Sequence, residues 1–160
     1  MRFAHVFEWL EHTALAIFIR DSPLLFPAIE VIHIVGFVVL VGSAFLFDLR
    51  LLGVASKIPL EDVANYVLPW SRRSLLIVVP SGLLLFISQA EALSTNTVFG
   101  LKLILILMAF ANAGIFHRFT YRSVSSGSVV EATFAAKTAA IASLLLWTSV
   151  ITCGRLIAYF

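Results

Sequence analysis

Residues 24–52, LLFPAIEVIHIVGFVVLVGSAFLFDLRLL, are almost entirely apolar and decide the class of fold. A helix needs about 20 mostly apolar residues to cross a bilayer. A stretch of this length predicts a membrane-spanning helix, because every backbone polar group in lipid must be bonded internally. The same stretch carries Glu30 and His33, two ionisable residues only three positions apart.

The whole chain has the composition of an integral membrane protein. Of its 160 residues, 61% are hydrophobic and 12% are charged, whereas soluble domains are about half apolar and about a quarter charged. Mean hydropathy is +1.03. The net charge of +2 reflects the loops and does not suggest nucleic-acid binding. The length allows one membrane domain, residues 1–160, and a single cysteine excludes an internal disulfide.

Four segments can cross a membrane, so the chain is predicted to be all-α and to form an integral membrane four-helix bundle. The predicted spans are residues 24–52, 74–93, 98–119 and 137–158. The connections after the first and third spans contain Lys and Arg, whereas the connection after the second span contains neither. The positive-inside rule therefore places the two basic connections in the cytoplasm and both termini outside.

Residues 1–20 are predicted to form an amphipathic helix in the outer interface, with a fifth span as the alternative. One face carries an apolar stripe and another face carries His5, Glu8 and His12. These three residues form a weak candidate metal site, since imidazole suits zinc and copper. The alternative is a solvated polar face.

Counting along the spans places four ionisable residues at one depth. At about 1.5 Å per residue, His33, Lys102 and Arg155 lie about 24–27 Å from the charges at the opposite end of the bundle, and Glu30 lies one turn beyond His33. The residues in this predicted outer layer are Glu30, His33, Lys102 and Arg155. Ionisable residues within a membrane are functional by default. A simple Glu30–His33 hydrogen bond, and snorkelling of the two cations, are the structural alternatives.

A second polar layer is predicted at the inner side. We expect Asp48 and Arg50 to form a structural pair, and His117 to anchor the interface. His117 and His33 are separated by about 20 Å or more in depth, so they cannot both ligate one iron.

Three pieces of the chain resemble an uncharacterised bacterial family of small four-span membrane proteins. They are FPAIEVIHIVGFVVLVGSAFLFDLRLLG, FGLKLILILMAFANAGIFHR and LLLWTSVITCGRLIAY, and the resemblance covers roughly residues 20–158. The order of features is more distantly similar to CopD-type copper-resistance domains and HemJ-type protoporphyrinogen oxidases. His33, Gly42, Arg50 and Lys102 match that pattern, whereas His117 lies further beyond Lys102 than the corresponding histidine of HemJ-type proteins.

The HemJ-type resemblance implies a haem b membrane redox protein that transfers electrons, with its site near the outer face. His33 would be an axial ligand of the haem iron, Glu30 would orient its ring, and Gly36 would leave room for the macrocycle. Lys102 and Arg155 would pair with the haem propionates. Alternatively, Lys102 or Met108 would be the sixth ligand of the iron. A quinone or a periplasmic carrier is the expected redox partner, in a bacterial inner membrane.

Two other functions stay open at this point. The CopD-type resemblance implies a copper- or cation-handling transport protein, in which His5, Glu8, His12 and His33 receive the ion. The other alternative is a non-catalytic accessory subunit of a larger membrane complex, or a homo-oligomer. The helix faces rich in small residues are as suitable for packing against another protein as for enclosing a cofactor.

Overall fold

The computed structural model describes residues 2–120 and 134–159, and those residues contain helices and no strand. The helices are α1 (Arg2–Glu11), α2 (Ala14–Asp21), α3 (Leu25–Leu51), α4 (Leu60–Ser88), α5 (Ala90–Thr95), α6 (Thr97–Ile115) and α7 (Phe134–Leu156). A π-helical turn, Phe116–Thr120, continues α6, and a 3₁₀ turn, Ile157–Tyr159, continues α7.

Four of these helices are long and apolar enough to cross a membrane. They are Leu25–Leu51, Leu60–Ser88, Thr97–Phe119 and Phe134–Tyr159. α1 and α2 have only 10 and 8 residues, which is about 15 Å and about 12 Å of helix against a hydrocarbon core of about 30 Å. The structure thus confirms the all-α bundle with four long apolar helices and a separate N-terminal part.

The N-terminal part consists of two short helices rather than the single helix predicted over residues 1–20. Thr13 separates them in an extended conformation and caps α2, because its hydroxyl accepts from the Ala16 backbone N–H at 3.4 Å. The same hydroxyl donates to the Leu10 carbonyl at 2.7 Å. Thr13 therefore satisfies groups that both helix ends leave unpaired.

The second long helix begins 14 residues earlier than the predicted start at residue 74. It starts after Pro59, and Glu61 and Asp62 lie in its first turn, where negative charge complements the helix dipole. Arg72 and Arg73, which the sequence interpretation placed in a loop, are exposed on the helix surface. The helix ends at Ser88, and α5 follows as a separate helix.

The long helices pack in the order α4, α3, α7, α6. α3 lies along α4 and also contacts α7, and α7 packs along α6. α4 and α6, both fully described, hardly touch along their backbones, and we call the space between them the α4–α6 seam. We call the end of the bundle where α1 packs against α4 and α5 the α1 end, and the opposite end the Arg50 end.

Small and aromatic residues fill the interior of the bundle. In its middle, Trp147 of α7 contacts Phe37 of α3 and Phe110 of α6 edge to face, with ring centroids 6.1 and 6.0 Å apart. Ala109 of α6 is buried in the same cluster. Asn112 donates from its side chain to the Ala139 carbonyl of α7 at 3.0 Å. The contact of α6 with α7 thus combines small residues with a polar bond.

The expected pair of Asp48 and Arg50 is wrong. Arg50 is buried and donates to the carbonyls of Ile58 and Ser56 at 2.7 and 3.2 Å, which fixes the loop between α3 and α4. No ion pair joins it to Asp48 in the described part of the chain. Residues two positions apart on a helix do not face each other, so the Arg50 side chain serves the loop while Asp48 lies inside the bundle.

Candidate functional site

His33 of α3 is held by a hydrogen bond across the contact with α4. Its ring atom Nδ1 lies 3.0 Å from the hydroxyl oxygen of Ser81. Ser81 is itself buried, and its hydroxyl lies 2.6 Å from the Ile77 carbonyl one turn back along α4. A serine hydroxyl has one hydrogen to donate. Because the Ile77 carbonyl takes that hydrogen, Nδ1 of His33 must donate to Ser81, and Nε2 keeps its lone pair.

Gly82, the next residue of α4, makes room for the imidazole. A Cβ atom at residue 82 would lie 2.9 Å from Cε1 of His33, closer than real Cβ atoms approach, and 3.4 Å from Nδ1. Nε2 is farther away, at 3.9 Å. Ser81 and Gly82 therefore fix the ring by one hydrogen bond and one flat contact, and both hold it on the Cε1–Nδ1 side.

Lys102 of α6 extends into the same end of the bundle. Its side chain is half-buried, and a Cβ atom at Gly154 of α7 would lie 3.7 Å from its Nζ. Its charge interacts electrostatically with His33. Lys102 has no hydrogen bond or ion pair within residues 2–120 and 134–159. The structure thus brings His33 and Lys102 from different helices into one region, with an ammonium group whose charge no carboxylate balances there.

Aromatic rings lie between this region and the α1 end. Phe86 of α4 stacks on Phe99 of α6, with centroids 5.6 Å apart and planes 8° from parallel. Phe7 of α1 meets Phe86 edge to face at 6.1 Å. Phe86 is one turn beyond Gly82 and Phe99 is nearly one turn before Lys102, so the stack lies about 5–6 Å nearer the α1 end. The rings close the α4–α6 seam on that side.

An ionic network fastens α1 and α2 over the same end. The Glu11 carboxylate accepts from Arg20 at 2.9 Å and from the backbone N–H of Glu91 in α5 at 2.8 Å. Arg20 also reaches the Ser88 carbonyl at the end of α4, at 3.5 Å. The first contact joins α1 to α2, and the others join both helices to the α4–α5 junction.

The two other residues of the predicted outer layer, Glu30 and Arg155, are exposed. Glu30 is exposed and forms no hydrogen bond with His33 among the described residues, since Ser81 occupies that ring nitrogen. Arg155 is exposed, donates to the Tyr159 hydroxyl at 2.9 Å and covers its ring at 5.1 Å. The expected orienting role of Glu30 is therefore taken by Ser81, and Arg155 interacts with its own helix end.

Gly36 and Met108 also differ from their expected surroundings. A Cβ atom at Gly36 would lie 3.0 Å from methyl groups of both Ile77 and Val78, so α4 fills the space beside it. Met108 is 52% exposed and lies about 120° around α6 from Lys102. Gly36 thus serves close helix packing, and Met108 does not share the face of Lys102.

The residues of the second candidate metal site lie on an exposed face of α1 together with Trp9. His5 lies 3.6 Å from the Glu8 carboxylate, and His12 Nδ1 bonds the Glu8 backbone carbonyl at 2.8 Å. Within the described ranges, no three His, Cys, Asp or Glu side chains come together in a way that could hold a metal ion. A metal site at His5, Glu8 and His12 therefore gains no support.

The sequence interpretation missed Ser81 and Gly82 as functional residues. Pro80, Ser81 and Gly82 draw attention as the site of a predicted kink, and α4 does contain Pro69 and Pro80. A clearer indication was available from depth. Ser81, which has a hydroxyl group, and Gly82, which has no side chain, lie in the neighbouring span at the same depth as His33. The site thus combines the Nε2 lone pair of His33, the positive charge of Lys102, and the aromatic rings of Phe86 and Phe99.

A family model describing a family of unknown function, DUF6644, matches residues 6–160. No curated protein and no solved structure matches the chain significantly. The matched residues include all four long helices, and with them His33 and Lys102. The chain therefore belongs to the DUF6644 family, whose function is unknown.

Proposed function

We propose that this chain is a membrane redox protein that binds haem b, with Nε2 of His33 as an axial ligand of the iron. The observation that supports this is the hydrogen bond from Nδ1 of His33 to Ser81. Histidines that ligate metals almost always donate their other ring N–H to a fixed acceptor, which sets the tautomer and the ring orientation. The imidazole of His33 has this arrangement before any ligand is bound.

The residues around His33 fit a porphyrin in some respects only. Lys102 supplies a positive charge without a carboxylate partner among the described residues, which suits a propionate group or a second axial ligand. Gly36, Met108 and Arg155, by contrast, are placed where they serve other contacts. α4 and α6 hardly touch along their backbones, and the α4–α6 seam is the part of the bundle we assign to the macrocycle.

Haem supplies one-electron chemistry at its iron, and the chain's own residues would set the conditions for it. Ser81 holds the His33 ring in one orientation. Lys102 balances negative charge in a low-dielectric region. Phe86 and Phe99 exclude water from the α1 end of the site.

The cellular setting is part of the same proposal. Basic residues flank the Arg50 end, including Lys57 and Arg118, which supports a cytoplasmic position for that end. The α1 end and both termini would then lie on the outer side of a bacterial inner membrane. The electron partner would be a quinone in the bilayer or a periplasmic carrier, as expected from the similarity of His33, Gly42, Arg50 and Lys102 to HemJ-type proteins.

The test is an absorption spectrum of the detergent-purified protein from cells supplied with haem, oxidised and then reduced with dithionite. We expect a Soret band and sharp reduced α and β bands. His33→Ala should remove most of the bound haem, whereas His117→Ala, a matched histidine at the Arg50 end, should retain it. A colourless wild type, or equal retention in the two variants, would overturn the proposal.

A further inference from the structure

Asp48 of α3 is a buried carboxyl group in the interior of the bundle near the Arg50 end. Only 6% of the residue is exposed. The Ser143 side chain of α7 lies close enough to interact with it. The second carboxyl oxygen, Oδ2, is fully shielded and has no hydrogen-bond partner within residues 2–120 and 134–159. Buried polar atoms are nearly always bonded in proteins, so an exception of this kind needs a reason.

No cation among the described residues forms an ion pair with this carboxyl group. The nearest basic residue along α3 is Arg50, whose guanidinium binds the Ile58 and Ser56 carbonyls. Ionisable groups on the elements at this end are exposed or half-buried: Glu61, Asp62, Arg72 and Arg73 of α4, His117 and Arg118 after α6, and Lys137 of α7. Within the described residues none of them forms an ion pair with Asp48.

An ionised carboxylate is hard to reconcile with these surroundings. Moving a charge out of water without a partner costs far more than burying a neutral carboxyl group. The neutral acid needs less: its O–H can donate to the nearby Ser143 oxygen, which leaves only one weakly accepting carbonyl oxygen unbonded. Ionisable residues that persist inside membrane helices commonly mark proton or ion pathways.

We propose that Asp48 is a proton-binding site: its carboxyl group is protonated in this state and exchanges the proton with water at the Arg50 end. Asp48 lies three residues before the end of α3, about 4.5 Å of helix from Leu51. Release of the proton leaves a carboxylate that needs further donors. Water entering between α3 and α7 at Ser143 can supply them, so proton release and loosening of this helix contact occur together.

This inference is independent of the proposed haem site. His33 and Asp48 are 15 residues apart on α3, about 22 Å. A protein without haem would leave the Asp48 proposal intact, and a failure at Asp48 would leave the haem proposal intact.

The first experiment is infrared spectroscopy of the wild-type protein in nanodiscs during a pH titration. At neutral pH we expect a C=O stretching band of a protonated carboxylic acid that shifts in D₂O and is lost as the pH rises. Asp48→Asn, which keeps the size and neutrality of the group, should lack this band. Asp62→Asn, which changes an exposed aspartate of α4, should keep it.

A second measurement on wild-type protein covers the case in which Asp48→Asn does not fold. A membrane-soluble carbodiimide adds to a carboxyl group in its protonated form, giving an acylurea whose mass identifies the modified residue. We expect modification of Asp48 at neutral pH and its loss on alkalinisation. An unmodified Asp48, a wild type without the acid band, or an acid band displaced by sodium ions at constant pH would overturn the proposal, the last by assigning the site to a metal cation.

Discussion

The imidazole of His33 lies against Gly82, so closely that a Cβ atom at residue 82 would come within 2.9 Å of ring atom Cε1. The hydrogen bond to Ser81 holds the ring on the same side. The ring therefore cannot turn away from residue 82 without breaking that bond. The position of the most reactive side chain in α3 thus depends on two small residues of α4.

Gly82→Ala should displace the His33 ring. The added methyl group overlaps with Cε1, and overpacking of this kind typically costs about 1–3 kcal/mol of stability. We expect a lower unfolding temperature in detergent and, if haem is bound, a loss of haem approaching that of His33→Ala.

Gly100→Ala is the matched control, because nothing lies within 4 Å of a Cβ atom at that position of α6. Alanine has a higher helix propensity than glycine, by up to about 1 kcal/mol. This variant should therefore be neutral or slightly stabilised. Equal behaviour of the two variants would contradict the packing of His33 on Gly82.

Ser81→Ala should remove the side-chain acceptor that holds the His33 ring and sets its tautomer. With histidine labelled with ¹⁵N, the NMR shifts of wild-type His33 should report a proton on Nδ1, and Ser81→Ala should show both tautomers. If haem is bound, its affinity should fall about 10–100-fold, the usual effect of removing such a partner. The NMR measurement needs no haem, so it separates the tautomer from the proposed cofactor.

Ser74→Ala is the control for Ser81→Ala. Ser74 is also buried in α4, but within the described part of the chain its hydroxyl bonds just the Ser71 carbonyl of its own helix, at 2.7 Å. The spectrum of His33 should not change. A wild-type His33 with its proton on Nε2 would show that the Ser81 hydrogen points to the ring and that our assignment of the donor is wrong.

The sequence predicts the bundle, because span length, hydropathy and helical rise depend on local sequence alone. It does not predict the neighbour of His33. α3 is apolar all round, and such a helix has no amphipathic face that indicates which side meets which partner. Glu30 was the expected partner because it is three residues away, yet the contact is with α4, 48 residues further along the chain.

The directions of two predicted site residues, Met108 and Arg155, follow from angles around the helix as well as from depth. Met108 lies at a plausible depth below Lys102 but about 120° around the helix from it. Arg155 is four residues from Tyr159, a spacing at which helical side chains meet. Depth places a residue in a layer, whereas the choice between the bundle interior and the lipid side also requires its direction.

Arg50→Lys should destabilise the Arg50 end. Arg50 donates through two different nitrogens to two loop carbonyls, and a lysine ammonium on a flexible stem cannot reproduce that planar fork. The loop contains Gly53 and Ala55 with φ of 102° and 55°, so it is a tight turn that needs support. Hydrogen bonds with a charged donor contribute about 1.5–3 kcal/mol, and we expect a loss in that range by thermal unfolding.

Arg72→Lys serves as the comparison, because Arg72 is exposed on α4. This substitution should change the free energy of unfolding by no more than about 0.5 kcal/mol, as is usual for substitutions at the surface. If Arg50→Lys is as stable as Arg72→Lys, the two loop contacts do not stabilise the fold.

The ion pair of Glu11 with Arg20 should hold α1 against α4 and α5. Glu11→Gln weakens both its bond to Arg20 and its bond to the backbone of Glu91, so α1 should separate more often from α5. We expect faster limited proteolysis between α1 and α2 in nanodiscs. Glu8→Gln should not change this rate, because Glu8 is exposed and, among the described residues, its carboxylate pairs with His5 of its own helix alone.

A double-mutant cycle with Glu11→Gln and Arg20→Gln measures the coupling directly. Partly exposed ion pairs usually contribute about 0.2–1 kcal/mol, and the coupling should decrease as salt screens the charges. A second helix anchors the same carboxylate, so Glu11→Gln alone should cost more than Arg20→Gln alone. Additive effects of the two changes, with proteolysis no faster than in Glu8→Gln, would mean that the Phe7–Phe86 contact holds α1 without help from the ion pair.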